Sequence, residues 1–383
     1  MTRLSRLVAT AQNIRRPPIA TDAGDRNLAL RKLEEYVQTK VSSANAVVEQ
    51  VMTQVPQDRI VPAPLLHFIG GDGPLEVGFP LKSGGPKEDY RSELIHLNAL
   101  HQISERADIP RAYVESLRGE PWGRALLAEN LNTLFRNRFA HDARFLTRSV
   151  GEEMRGFLSN RYRRMDSRPI LDSLLGALNK TGAVISEGYA GDVRVCLKAI
   201  LPHIVEPVPG EYMVFGICWT NSDYGKGAME IDLFGLRLVC INGLIASTDM
   251  RKVHLGARLN DDLEYSDRTY HLDTQTVASA VRDQVAGLLT PAKVDELAER
   301  IRKSAEGTID PKQTVRSLRA TLSKTDTEAV VSAFNSPDVV NLPPGNTRWR
   351  LSNAISFLAG QQEDGDRALD LQRLAGEVMA DAA

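Results

Sequence analysis

The first strong pattern in the chain runs from Asp25 to Gln54, where Leu30, Leu33, Val37, Val41, Ala44, Val48 and Val51 return at alternating three- and four-residue steps. That spacing places them on one stripe and predicts a long amphipathic helix, ended by Pro56. The stripe can serve as a seam between molecules or face the chain's own core. From Pro56 to Tyr90 the periodicity dissolves, with six Gly and six Pro in 35 residues, including GGDGP and SGGP. Turns around short strands are predicted here, one of the strands at Leu75 to Leu81.

Helical periodicity resumes over Ser92 to Ile103, Pro110 opens a short helix to Leu117, and Pro121 opens another to Phe135. ARFLTRSV and EEMRGFLSN read as two strands around Gly151, and SRPILDSLLGALNK as a helix capped by Ser167 with Pro169 in its first turn. Then come GAVISEGYA, DVRVCLKAILP, EYMVFGICWTNS and AMEIDLFGLRLVCINGLI, apolar runs parted by turn signals at Gly191, Pro207 to Gly210 and Asp223 to Gly227. After Thr274 the pattern is helical to the end. Thr290-Pro291 and Asp310-Pro311 each join a capping side chain to a first-turn proline, Asp326 to Phe334 is amphipathic, and NLPPGNTRWR leads into the last helical stretch. The runs between Gly182 and Ile245 leave no room for crossover helices, which disfavours a purely parallel α/β sheet. The expected fold is α+β: a helical N-terminal region, a central mixed or antiparallel sheet with packed helices, and a helical C-terminal region. The expected divisions are 1–90, 91–273 and 274–383.

Composition is that of a packed globular chain, 42% apolar and 25% charged. No apolar run is long enough to span a bilayer, and MTRLSRLVATAQNIRRPPIA lacks the sustained apolar stretch of a secretory leader, so a cytoplasmic location away from membranes is expected. Cys196, Cys218 and Cys240 have no C-x-x-C spacing and read as small buried hydrophobes. The seven histidines form no H-E-x-x-H pair, and phosphate-loop, dinucleotide and G-x-S-x-G motifs are missing. These absences lower the expectation of metal hydrolase, NTPase and dehydrogenase chemistry. A binding role without a cofactor is favoured over an enzyme.

Net charge is −2, yet between Leu131 and Arg168 nine arginines stand against four acids, with no lysine. Guanidinium forks suit phosphate oxygens and stack on bases. In SNRYRRMD, Tyr162 is interleaved with Arg161, Arg163 and Arg164, the mixture expected of a single-stranded backbone track with an aromatic platform. The expected nucleic-acid-binding set is Arg155, Asn160, Arg161, Tyr162, Arg163 and Arg164, extended by Arg251, Lys252 and His254. The bland alternative is a solvated loop whose arginines pair with Asp166 or Asp172. Asn160 and Arg161 then only shape the helix start. Arg237, inside LFGLRLVC, needs an internal salt bridge or a ligand. Trp349 is either core or a stacking surface.

Several segments together resemble a family of phage/plasmid-like proteins built on a domain of unknown function found in phages, prophages and plasmids. They are HQISERADIPRAYVESL, LLAENLN, RFLTRSVGEEMRGFLSNRYRRMDSRPIL, TNSDYGKGAMEI, LRLVCINGLI with RKVHLG, NTRWRLSNAISFLA and LAGEVM, in the family's order from Leu94 to Met379. SNRYRR and VCIN are the most distinctive. The resemblance implies an accessory protein of a mobile element, in the company of recombination, replication and anti-defence functions. The element order is similar to that of single-strand annealing proteins, which form rings and hold DNA in a basic groove. The leading expectation is therefore single-stranded DNA binding that promotes annealing or recombination, with a homo-oligomer among the expected partners. The alternative is a host-defence-blocking protein acting by contact with a host protein, using NDDLEYSD at 260–267 or the acidic tail. A third expectation is an enzyme acting on nucleic acid with Asp223, Asp232 or Glu230 gathering Mg²⁺, which requires carboxylates to converge.

Overall fold

The computed structural model describes residues 23–80, 90–252, 266–318, 321–336 and 341–380. His254, the SGGP turn, the N-terminal segment MTRLSRLVATAQNIRRPPIA and most of NDDLEYSD lie outside the described residues. The long N-terminal stripe forms helix α1 (Ala23–Thr53). Its buried side chains are Ala29, Leu33, Tyr36, Val37, Ala44, Val47, Val48 and Val51, all packed within the same chain. The self-packed outlet of the stripe is thus the one the fold uses.

Among the described residues the strands form two six-stranded sheets. The first contains β1 (Gln57–Pro62), β2 (His67–Ile69), β3 (Glu76–Pro80), β4 (Tyr90–Ile95), β5 (Arg144–Val150) and β6 (Glu153–Ser159), in the order β1-β5-β6-β4-β3-β2. Only β4 and β6 pair in parallel. One face is covered by α2 (Leu97–Arg106), α3 (Arg111–Arg118) and α4 (Pro121–Arg138). Phe68, Phe135, Phe145 and Phe157 meet there as an aromatic cluster. The helix expected from Ser92 begins only at Leu97, because Tyr90–Ile95 is claimed by the sheet and the His96 ring caps the helix by accepting from Asn98 N. Sheet pairing overrides the local periodicity. The division at 90/91 falls inside β4.

Helix α5 (Ser167–Thr181) leads into the second sheet: β7 (Val184–Ala190), β8 (Val195–Ile200), β9 (Val205–Val208), β10 (Glu211–Asn221), β11 (Met229–Arg237) and β12 (Asn242–Lys252). The order is β12-β11-β10-β8-β7, with β9 on the end of β10, and every pairing is antiparallel. All of β10 is buried, as its unbroken run YMVFGICW demands of a central strand covered on both faces. One face packs on α5, α6 (Asp267–Leu288), α7 (Pro291–Ser304), α9 (Lys324–Asn335), α10 (Arg348–Gly360) and α11 (Gly365–Ala380); the short α8 (Pro311–Ser317) joins this layer through Val315. The other face carries Cys196, Cys218, Val214 and Phe234 and is covered by the first half of α1. The two close approaches of backbone that this layering needs occur at glycines. A Cβ on Gly188 would lie 2.8 Å from the Ala44 Cα of α1, and one on Gly376 only 1.7 Å from the Ile245 carbonyl oxygen of β12. The observed fold is α+β, with helices toward both ends and sheets between them.

Candidate functional site

The arginine-rich segment ends at the junction of the two halves, and most of its charge is spent there. Strand alternation turns Leu146 and Arg148 of β5 and Leu158 of β6 away from the first sheet's helices, toward the β10–β11 turn. Arg148 is 1% exposed. Its guanidinium donates to Asp58 Oδ1 at 2.7 Å, Asp166 Oδ1 at 2.6 Å and the Asp223 carbonyl at 2.7 Å. Asp166, offered by sequence as a partner for the neighbouring loop arginines, belongs to this buried hub.

The loop after β6 wraps the hub. Tyr162 is 7% exposed, packs with Leu146 and Leu158, and donates its hydroxyl to the Ser222 carbonyl at 3.3 Å. Its expected role as a stacking platform is corrected by this placement, since neither ring face is open to a base. Arg163 makes a two-pronged pair with Asp273 of α6 at 2.5 and 2.6 Å. Arg164 lies 2.9 Å from Asp58, 3.1 Å from Asp267 and over the Tyr270 ring at 4.3 Å. Arg155 bonds Glu153, Gln54 and the Asp192 carbonyl. Asn160 is half-buried and its carbonyl accepts from the Tyr270 hydroxyl at 3.5 Å, while Arg161 is half-buried beside it. Arg251 is far along β12, paired with Glu230 at 3.0 Å. Lys252 ends that strand opposite Met229. The expected track is therefore divided, and its middle is a rivet between two sheets.

The β10–β11 turn supplies the rest of the rivet. Ser167 N and Oγ both donate to Asp223 Oδ1 at 2.8 Å, so the start of α5 is capped by a carboxylate 56 residues away; Asp166 makes no side-chain cap. Asn221 Nδ2 donates to the Met165 carbonyl at 2.8 Å. Burial pushes the Asp223 carboxyl up to about 6, with the Arg148 charge opposing the shift and the Asp166 charge adding to it. The folded chain thus holds this proton more tightly than the unfolded chain. The associated stability is complete below the ordinary value of 3.8 and is lost as pH rises through about 6. Unfolding free energies of the wild type and of Asp223→Asn, compared across that window, should show the wild type losing ground as pH rises. Parallel curves would reject the assignment.

Other expectations resolve into packing. Arg237 makes a two-pronged pair with buried Glu211 and donates to the Asn341 carbonyl at 2.5 Å. Trp349 is fully buried and donates to Glu211 at 3.2 Å, so it is core. Cys196 and Cys218 are buried with their sulfurs 3.4 Å apart. Glu230 and Asp232 meet at one Arg373 nitrogen, at 2.5 and 3.0 Å, so a guanidinium stands between them, whereas Asp223 sits on Ser167; the three carboxylates do not gather at one point. Among the described residues no group of three or more His, Cys, Asp or Glu is arranged to hold a metal.

What remains open to a ligand lies beside the rivet. A groove of about 440 Å³ runs between α2 and the β10–β11 turn, and its polar lining is Asn98, His101, Gln102, Glu105, Arg106, Arg111 and Lys226. Gln102 and Asn98 fix its floor by donating to the Tyr224 carbonyl at 2.8 and 3.0 Å. Arg111 is held by Glu105 and His101 by Glu115. Among the described residues no carboxylate forms a salt bridge with Arg106 or Lys226, and both are exposed. The α3–α4 hairpin that begins at Arg111 carries Tyr113 at 40% and Trp122 at 64% exposure. The sequence marks neither Arg106 nor Trp122, whose surroundings are those of ordinary amphipathic helices. Among the described residues no helix is long and apolar enough to cross a membrane. No protein-family model, curated protein or solved structure matches this chain.

Proposed function

We propose that the chain is a single-stranded-DNA-binding accessory protein of a phage/plasmid-like element, acting in the cytoplasm, and that strand annealing or recombination is the process it serves. The observation that carries this reading is the groove in which Arg106 and Arg111 of the first half face Lys226 of the second. Two of these cations form no salt bridge among the described residues, which suits a phosphate backbone. Trp122 and Tyr113 on the adjoining hairpin add open rings on which unpaired bases can stack. The earlier loop arginines contribute by holding the two walls together.

Fluorescence anisotropy of a labelled single strand at two salt concentrations tests the reading. Binding should weaken with salt by about 0.7 in log–log slope per contacted phosphate, and a duplex should bind less well. The double variant Arg106→Glu, Lys226→Glu should lose about tenfold or more in affinity, equivalent to about 1.4 kcal/mol. Trp219 and Trp349 are fully buried, so quenching of tryptophan emission by the strand reports on Trp122. Unchanged affinity in the folded double variant sinks the proposal. A second reading, contact with a host protein, is favoured by Trp122 and Leu126, exposed one helical turn apart. It predicts no binding to nucleic acid at low salt.

A further inference from the structure

Lys226 can act together with Arg106 only if the turn that carries it is held at a fixed place beside α2. Asn98, Gln102 and Arg106 recur at four-residue steps on α2 and so share one face of that helix. Arg106, at the end of the helix, lines the groove, and the two amides below it grip the turn.

The Gln102 amide spends both ends on backbone. Its Oε1 accepts from Phe157 N of β6 at 2.7 Å, and its Nε2 donates to the Tyr224 carbonyl at 2.8 Å. Reversing the amide would set oxygen against oxygen and N–H against N–H, so these partners fix its orientation. The side chain thus stands in for a peptide group between a strand of the first sheet and a turn of the second. Asn98 supports the contact one helical turn away, its Nδ2 donating to the Arg155 carbonyl at 2.9 Å and to the Tyr224 carbonyl at 3.0 Å.

The turn passes that hold on to Lys226. Ser222 Oγ accepts from Tyr224 N at 3.2 Å and from Lys226 N at 2.9 Å, so the carbonyl gripped by Gln102 and the backbone that carries Lys226 belong to one hydrogen-bonded loop. Between them Gly225 has a φ of 75°, and a Cβ there would lie 3.0 Å from Gln102 Nε2 and 2.6 Å from a Leu158 methyl. The contact leaves no room for even a methyl group. At position 102 a glutamate lacks the donor, a lysine lacks the acceptor, and an asparagine lacks the reach for both partners.

We propose that Gln102 is the positioning residue of the groove: it sets the β10–β11 turn so that Lys226 and Arg106 engage one phosphate backbone together. The inference rests on the single-strand reading given above and adds the residue that makes cations from the two halves act as one site. Gln102 works through Lys226, not through the strand itself.

The test follows the anisotropy of a labelled oligothymidylate across a range of salt, with the full chain as wild type, Gln102→Met, Lys226→Ala and the double variant. Methionine matches glutamine in length and bonds neither backbone group. Both single variants should weaken binding by a similar factor, about three- to tenfold at low salt, and lower the log–log slope by about 0.7, the share of one phosphate. The double variant should bind as Lys226→Ala alone does, because a turn without its cation has nothing left to position. A merely structural residue would weaken binding equally in both backgrounds and leave the slope unchanged, and that result overturns the proposal. Undiminished affinity in folded Gln102→Met, with Lys226→Ala weakened, overturns it too and leaves the groove reading standing. Undiminished affinity in Lys226→Ala also overturns it, and the Arg106→Glu, Lys226→Glu double variant then decides the groove reading separately. Gln102→Asn, whose amide is too short to bridge, takes the place of Gln102→Met in the same cycle should the latter not fold.

Discussion

Arg148→Met is expected to destabilise the chain by about 3 kcal/mol, read as a drop in the urea unfolding midpoint at unchanged slope. Methionine keeps most of the buried stem, so the loss isolates the charge. Removing one partner from a buried ion cluster costs about 3–5 kcal/mol because the others are left uncompensated. Here the lower end applies. Asp58 keeps Arg164 at 2.9 Å, and Asp166 has 40% of its side chain exposed to take up water. The Asp223 carbonyl also loses a donor at 2.7 Å. A loss below about 1 kcal/mol would place the cluster among surface pairs and show that Arg148 adds little to the joint between the two halves.

Gly376→Ala is expected to destabilise although it improves the helix. In a helix interior alanine is favoured over glycine by about 1 kcal/mol. At Gly376, however, the added Cβ would lie 1.7 Å from the Ile245 carbonyl oxygen and 2.6 Å from its carbon. These are backbone atoms of β12 and cannot swing aside, so α11 must lift from the sheet. Overpacking of this kind costs about 1–3 kcal/mol and more where backbone is the obstacle, so a net loss of about 2 kcal/mol is expected. The same change at Gly176, exposed in α5 with nothing within 4 Å of its Cβ position, should instead stabilise by about 0.4–1 kcal/mol. Thermal or urea unfolding of the pair gives opposite signs; equal signs would refute the close contact between α11 and β12.

Much of the fold is legible in the sequence because the signals are local. The stripe of α1, the Thr290-Pro291 and Asp310-Pro311 helix starts and the strands around Gly151 follow from spacing and capping. Two sheets in place of one, and the strand over Tyr90–Ile95, depend on partners distant in sequence. The site was harder to read. An arginine-rich stretch looks the same whether its charges meet phosphates or aspartates, and three of the aspartates that meet them, Asp58, Asp267 and Asp273, lie outside it. Arg237 in LFGLRLVC shows the same limit from the other side: the charge in an apolar strand is plain in the sequence, but its partner Glu211 is set by strand pairing.

The rivet also sets an order of events during synthesis. When Arg148 leaves the ribosome, Asp58 is already available, but the carbonyl of Asp223 and the carboxylates of Asp267 and Asp273 are still to be made. Arg163 and Asp273 are 110 residues apart, so closing this contact spends chain entropy before it returns any stability. The first sheet can gather its aromatic cluster as a local unit, while its second face stays charged and open until α6 has emerged. Docking of the two halves is consequently a late step of a nascent chain, and a product ending before α6 exposes a row of arginines with their partners missing.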